Sequence, residues 1–444
     1  MEPAAPSKEE LAAQRAAAKE EQRKQKELKR LYGEGPYPGE VEAFVQDRPE
    51  KLKPLLTTLY RGGERNSVLN LNRAGLAAME LGEWTLAEKA FDLSLTRIEA
   101  VYSKSTAAEQ AKSSFKKEAR KDYKGEPYER AMAYYYRGLL YLRANDYDNA
   151  RASFAGALYQ DSINLDGDRG QDFASMNYLA GWASRCANDQ AIAAEQFEQA
   201  VKAKPELKAP SSDANTIVIA ELGNGPVKAK GGTNGELLEF VSNSSFKEDA
   251  VEFGSFAGDV TRKVSLIEAA SLSYQASERD GRKMDGVLKG KADTKNALNS
   301  ASQAMMTNAF SQSSNPYGNQ AGAMAGMIGG LALGLFGSAV RADADIRHWD
   351  SLPERIMLGA DRFALGEKNP EVTFRAGTEA LDIKPSAFVV AKGPTCSMVW
   401  TRSRSSLDVA PETPGDDAGV AKASASRKDV QLKDKAFRQS LSAL

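Results

Sequence analysis

The stretch GLLYLRANDYDNARASFAGAL, residues 138–158, decides how the first half of this chain reads, because its pattern occurs twice more. GLAAMELGEWTLAEKAFDLSL spans 75–95 and GWASRCANDQAIAAEQFEQAV spans 181–201. In each copy a small residue (Gly75, Gly138, Gly181) lies seven positions before a turn that opens with Gly82, Asn145 or Asn188. Nine positions further stands Phe91, Phe154 or Phe197, with Ala87, Ala150 or Ala193 between turn and ring. A glycine on one helix lets a second lie close, the turn reverses the chain, alanine sits where the helices cross, and the ring fills the seam.

This combination is the tetratricopeptide signature, and three copies are about the number at which stacked helix pairs bury a continuous core. The first helix of each pair is expected to turn one face inward. In that register Asn72, Leu76, Tyr135, Leu139, Tyr178, Trp182 and Arg185 are the candidate lining of a partner-binding groove. An aromatic groove with one arginine suits an extended or helical peptide. The spacing between copies is irregular, with a Lys- and Ser-rich insertion from Ser103 to Glu129. A second insertion, Asn164 to Gly170, resembles a calcium loop, but the sixth and twelfth places hold Arg169 and Ser175 where glycine and glutamate are required.

Composition narrows the chemistry. Lysine plus arginine (59) and aspartate plus glutamate (60) nearly cancel over 444 residues, so no global field draws the chain to nucleic acid, and no nucleic-acid partner is expected. His348 is the only histidine, and Cys186 and Cys396 are the only cysteines. Three nitrogen or sulfur ligands cannot complete a four-ligand zinc site, so no metal, cofactor or catalytic residue is assigned. The best enzyme alternative would join His348 to Asp345 or Asp350 and Ser351, neighbours in sequence that need not converge. Cys186 falls in an expected helix and Cys396 in an expected strand of another unit, and both read as buried free thiols. Residues 1–30 lack the apolar run of a signal peptide, which by itself points to the cytoplasm.

The chain divides into four parts. Residues 1–36 form a charged helical arm, and 37–209 hold the helical repeats. Residues 210–402 read as a mixed α+β unit, and 403–444 as a mostly disordered tail with at most a terminal helix around Val430 to Leu441. Expected strands are Thr216 to Ala220, Ser271 to Ala276, Arg355 to Leu358, Val372 to Phe374 and Phe388 to Trp400. The turn Gly223-Asn224-Gly225-Pro226 follows the first, and Asp280-Gly281 signals a hairpin. Helices are expected over Thr294 to Phe310 and Ala321 to Arg341.

The last of these carries a ladder. Gly318, Gly322, Gly326, Gly330 and Gly334 fall four residues apart near a Gly/Ala-rich helix at 318–341 and form one side-chain-free stripe. Such a stripe is a packing surface. It fits burial inside the second unit, contact with a membrane through 321–340, or self-association into a homo-oligomer.

Three stretches resemble an uncharacterised family of bacterial cell-envelope proteins with tetratricopeptide repeats, many of them lipoproteins. One is Tyr128-Glu129 leading into Tyr134 to Leu142 and Asn145 to Ala150; the second runs from Gly223 to Lys228 after its strand; the third is Ala342 to Pro353. The resemblance implies a place on the periplasmic side of the envelope and a role in assembly, although no lipobox cysteine stands near Met1. The functional expectation is a non-enzymatic scaffold or adaptor that binds a protein partner in the repeat groove. The alternative is a membrane-associated or oligomer-forming envelope component that uses the glycine helix.

Overall fold

The computed structural model describes residues 8–32, 35–102, 122–162, 173–231, 237–243, 245–257, 260–277, 345–365, 370–425 and 427–444. The helices expected over 294–310 and 321–341, the glycine ladder, the Asp280-Gly281 turn and the calcium-like loop lie outside the described residues, as does the insertion up to 121. No helix among the described residues is long and apolar enough to cross a membrane.

A helical region comes first. Helix α1 (Lys8–Tyr32) is exposed from Gln14 to Leu31 apart from half-buried Leu28, and α2 (Pro38–Val45) and α3 (Lys53–Gly62) lead into three helix hairpins. These are α4 (Ser67–Glu80) with α5 (Trp84–Tyr102), α6 (Pro127–Arg143) with α7 (Tyr147–Ser162), and α8 (Ala174–Cys186) with α9 (Gln190–Ala203).

The turn residues explain why each first helix stops. Gly82, Asn145 and Asn188 all have positive φ, at 75°, 61° and 66°, a conformation that glycine and asparagine tolerate best. The following amide then reaches back to satisfy an orphan carbonyl: Glu83 to Ala78, Asp146 to Tyr141 and Asp189 to Ser184, at 2.9, 2.9 and 2.8 Å.

Each hairpin is closed by the same contact. A Cβ placed on Gly75, Gly138 or Gly181 would stand 2.9, 2.6 or 3.0 Å from the ring of Phe91, Phe154 or Phe197. The absence of a side chain is what lets ring and backbone touch.

After Ala203 the chain becomes mixed α+β. Strands β1 (Thr216–Leu222), β2 (Val227–Gly231), β3 (Leu237–Val241), β4 (Ala250–Ala257), β5 (Val260–Ser265), β6 (Ile267–Ser271), β7 (Arg355–Asp361), β8 (Glu371–Ala376), β9 (Glu379–Ala380), β10 (Ala387–Lys392) and β11 (Ser397–Arg402) form three sheets. The largest has the order β10-β11-β1-β7-β6; a second is β5-β4-β8-β9, and β2 pairs with β3. Central β1 runs parallel to β11 and antiparallel to β7.

Strand β1 is buried along its whole length, and its period of two divides the work. Ile217 and Ile219 join the core shared with the helices, whereas Val218, Ala220 and Leu222 meet Val251, Phe253 and Phe374 of the four-stranded sheet. Three layers result: helices, five-stranded sheet, four-stranded sheet.

Three expectations are corrected. Residues 272–276, read as part of an alternating strand, belong to the short helix α10 (Leu272–Ser277). Glu354 starts it by accepting from the Ser271 and Ser273 hydroxyls at 2.7 and 2.6 Å, a distant contribution that local alternation does not contain. The segment after Ser403, expected to be mostly disordered, is an ordered strap. It includes α11 (Ala418–Ala425) and α12 (Lys428–Ser440), with Phe437, Leu441 and Leu444 buried. Polar sequence misled here because the strap is held largely by hydrogen bonds to the helices.

Finally, Cys186 and Cys396 are not free thiols but a disulfide, with Cα atoms 5.6 Å apart. Cys186 ends α8 and Cys396 directly precedes β11, so the bond ties the third hairpin to the sheet.

Candidate functional site

The seven residues expected to line a groove share an inward face, and the chain itself covers that face. Asn72, Leu76, Tyr135, Leu139, Tyr178 and Trp182 are buried, and Arg185 is half-buried. On α6 the Tyr135 and Tyr136 hydroxyls donate to Glu221 of β1 at 3.0 and 2.8 Å. On α8 Tyr178 donates to the Lys208 carbonyl at 3.2 Å. Arg185 donates to the carbonyls of Ser211, Ser212 and Ala214 at 2.7, 2.6 and 2.9 Å. On α4 Asn70 donates to Thr413 at 3.0 Å, and Arg73 reaches the carbonyls of Ala410, Pro411 and Glu412 together with the Asp350 carboxylate. The strap, the sheet and the linker after α9 thus each occupy one inward face.

Two buried carboxylates organise this contact. Glu221 also accepts from the Trp400 indole at 2.9 Å and from Arg402, whose guanidinium meets Glu80 at 3.0 Å. Burial pushes the Glu221 carboxyl up, against the opposing pull of Arg402 and the neutral donors. Glu129 accepts from Lys228 at 2.6 Å and from the Trp349 amide at 2.8 Å. Burial raises its carboxyl as well, but Lys228 and the hydrogen bonds outweigh that and hold it below the usual range. Glu129, Lys228 and Trp349 come one from each of the three stretches that carry the family resemblance. Those stretches therefore meet at one buried ion pair.

The hydrogen bonds and ion pairs of the residues in the enzyme alternative go to groups outside that set, although His348 also acts electrostatically on Asp350. His348 Nδ1 lies 3.0 Å from the Ile346 carbonyl, Asp345 is bound by Arg347, Asp350 by Arg73, and Ser351 accepts from the Trp349 indole at 2.9 Å. Among the described residues no group of three or more His, Cys, Asp or Glu side chains is placed to hold a metal ion.

Among the described residues a concave surface opens at the end of the helix stack. A cleft of about 1100 Å³ runs between α9 and the linker 209–215, with the Cys186–Cys396 disulfide and Thr395 at one side. Ala193, Ala194, Phe197 and Val201 form its helical wall, and Ala209, Pro210 and Ala214 line the opposite one. Charge is balanced around it, with Arg185 and Lys202 against Glu198 and Asp213. The sequence reading passed over this site because it sought binding positions on the first helix of each pair. The signal that could have found it is that nothing after Ala203 repeats the glycine-turn-phenylalanine spacing, so among the described residues the second helix of the last pair has no helix-pair successor. No family model matches the chain, and no curated protein matches it.

Proposed function

We propose that this chain is a non-enzymatic scaffold or adaptor of the tetratricopeptide type, binding a protein partner in the assembly of a bacterial envelope complex. The observation that carries the reading is the helix stack with its free end. Three hairpins share one glycine-phenylalanine closure, their inward faces are taken by the chain's own sheet, linker and strap, and among the described residues a large concave surface opens at the end. Repeat stacks of this kind present surfaces and leave chemistry to others. The disulfide supports an oxidising compartment such as the periplasm, where such bonds persist. The partner surface in this reading is the cleft, to which Arg185 alone of the seven expected groove residues contributes.

The test is cross-linked affinity capture with the full chain in its native host. A protein partner recovered in stoichiometric amount is the expected result. Recovery of none, from periplasmic and cytoplasmic fractions alike, overturns the reading.

A further inference from the structure

We propose that the open cleft receives an amphipathic α-helix of the protein partner, which stacks on α9 as the first helix of a next pair would. This rests on the adaptor reading and names where and what it binds.

The argument is continuity of the stack. A shift of 43 residues carries Asn145 onto Asn188 and Phe154 onto Phe197, and it also carries Arg151 onto Ala194 and Leu158 onto Val201. In the second pair those positions have a successor: α7 packs against α8, Leu158 is packed on the core, and Arg151 points to Asp189 at the start of α9, 3.5 Å away. In the third pair the same register positions face the cleft. Ala194 and Val201 are smaller than the residues they replace, which leaves the wall shallow enough for a helix to approach closely.

The volume, about 1100 Å³, lies above the roughly 300–1,000 Å³ of small-molecule pockets, and the cleft opens to one side. Its walls are mainly apolar, with Asn188, Gln190 and Thr395 among the polar lining, and its rim carries both signs of charge, Glu198 and Lys202 on α9 and Asp213 across from them. A helix with a small or aliphatic stripe at i, i+3, i+4, i+7 and charges of both signs beside it complements that arrangement.

The probe is a helix already seen to stack in this way: a fluorescein-labelled peptide of residues 173–187 with Cys186→Ser, locked as a helix by a side-chain staple on the face away from α7. Its binding to the full chain is read by fluorescence anisotropy. Saturable binding is expected, weakened about tenfold or more by Val201→Asp, which sets a carboxylate in the apolar wall. Ala194→Asp, at an exposed position where folding is not at risk, should do the same, while Leu432→Asp on the distant, exposed face of α12 should not. No saturable binding, or binding that both cleft substitutions leave unchanged, overturns the proposal. So does concentration-dependent self-association of the chain that Val201→Asp abolishes, because the cleft would then belong to a second copy. The adaptor reading stands or falls separately, on whether native capture returns a partner.

Discussion

Replacing the three closure glycines by alanine should produce a graded loss of stability. In a helix interior, alanine is favoured over glycine by about 1 kcal/mol, so each change begins with a gain. Against it stands the added methyl. At Gly138 the new Cβ would lie 2.6, 2.7 and 3.0 Å from three atoms of the Phe154 ring, which is wholly buried and has nowhere to move. Overpacking of this kind costs about 1–3 kcal/mol, and the tightest contact belongs at the upper end, for a net loss of about 1–2 kcal/mol. At Gly75 the nearest approach is 2.9 Å to a ring that is equally buried, and the two effects come closer to cancelling. At Gly181 it is 3.0 Å, and the Phe197 ring borders the cleft and can yield. Urea denaturation followed by far-ultraviolet circular dichroism should therefore order the midpoints as Gly138→Ala lowest, Gly75→Ala next, and Gly181→Ala near the parent. A Gly138→Ala protein as stable as the parent, or a larger loss at Gly181 than at Gly138, would refute the claim that ring-on-glycine contact closes the hairpins.

Glu221→Ala should cost about 3–5 kcal/mol in the same assay, since it leaves three neutral donors unpaired in the interior and Arg402 with Glu80 as its remaining carboxylate; a loss below 1 kcal/mol would mean that water replaces the carboxylate. The Glu248 carboxyl is raised by burial but held down to about 2 by hydrogen bonds from Arg404 and Ser403. Its contribution is then complete above its ordinary value of 4.5 and is lost as pH falls toward about 2. Glu248→Gln should flatten the acid limb of a stability-pH curve in that window and leave the alkaline limb alone. Removing the disulfide by Cys186→Ser with Cys396→Ser should lower stability by about 2–4 kcal/mol, because the bond spans 210 residues of chain. An unshifted denaturation midpoint would show that sheet and helices are held without it. Phe437→Ala empties the seat of α12 under Arg97, and limited proteolysis should then release the C-terminal segment earlier while the helical signal of the hairpins persists.

The helix hairpins were legible because their information is local: a glycine, a left-handed turn residue and a phenylalanine at fixed spacing set both the reversal and the seam. The strands β1, β7 and β8 were legible for the same reason, as β-rich runs bounded by turns, whereas the run read from Phe388 to Trp400 is two strands, β10 and β11, with an unforeseen reversal between Lys392 and Ser397. What escaped depends on residues far apart in sequence. Nothing near Tyr135 foretells that Glu221 will sit against it, and nothing near Arg73 foretells three carbonyls of the strap. The pairing of Cys186 with Cys396 is set by a distance that only the folded chain defines. The strap looked disordered because its apolar residues are few; its order comes from Asp416 on Asn66, Asp434 on the Glu64 amide and a small anchor at Phe437. Of the candidate site, the sequence offered positions on the first helix of each pair, and nothing in it foretold that sheet, linker and strap would cover residues there.

The order of strands in the five-stranded sheet constrains how the protein can be made. β1 leaves the ribosome at Thr216–Leu222, yet its hydrogen-bonded neighbours are β7, which begins at Arg355, and β11, which ends at Arg402. The helix hairpins can form as they emerge, since each pairs with what was made just before it. The central strand cannot: Ile217 and Ile219 wait, with the Tyr135 and Tyr136 face beside them, through most of the remaining synthesis. A nascent or truncated chain that stops short of Ser397 has a largely apolar strand, buried along its whole length in the finished fold, that lacks its parallel neighbour, and such fragments are the form in which this protein is expected to aggregate.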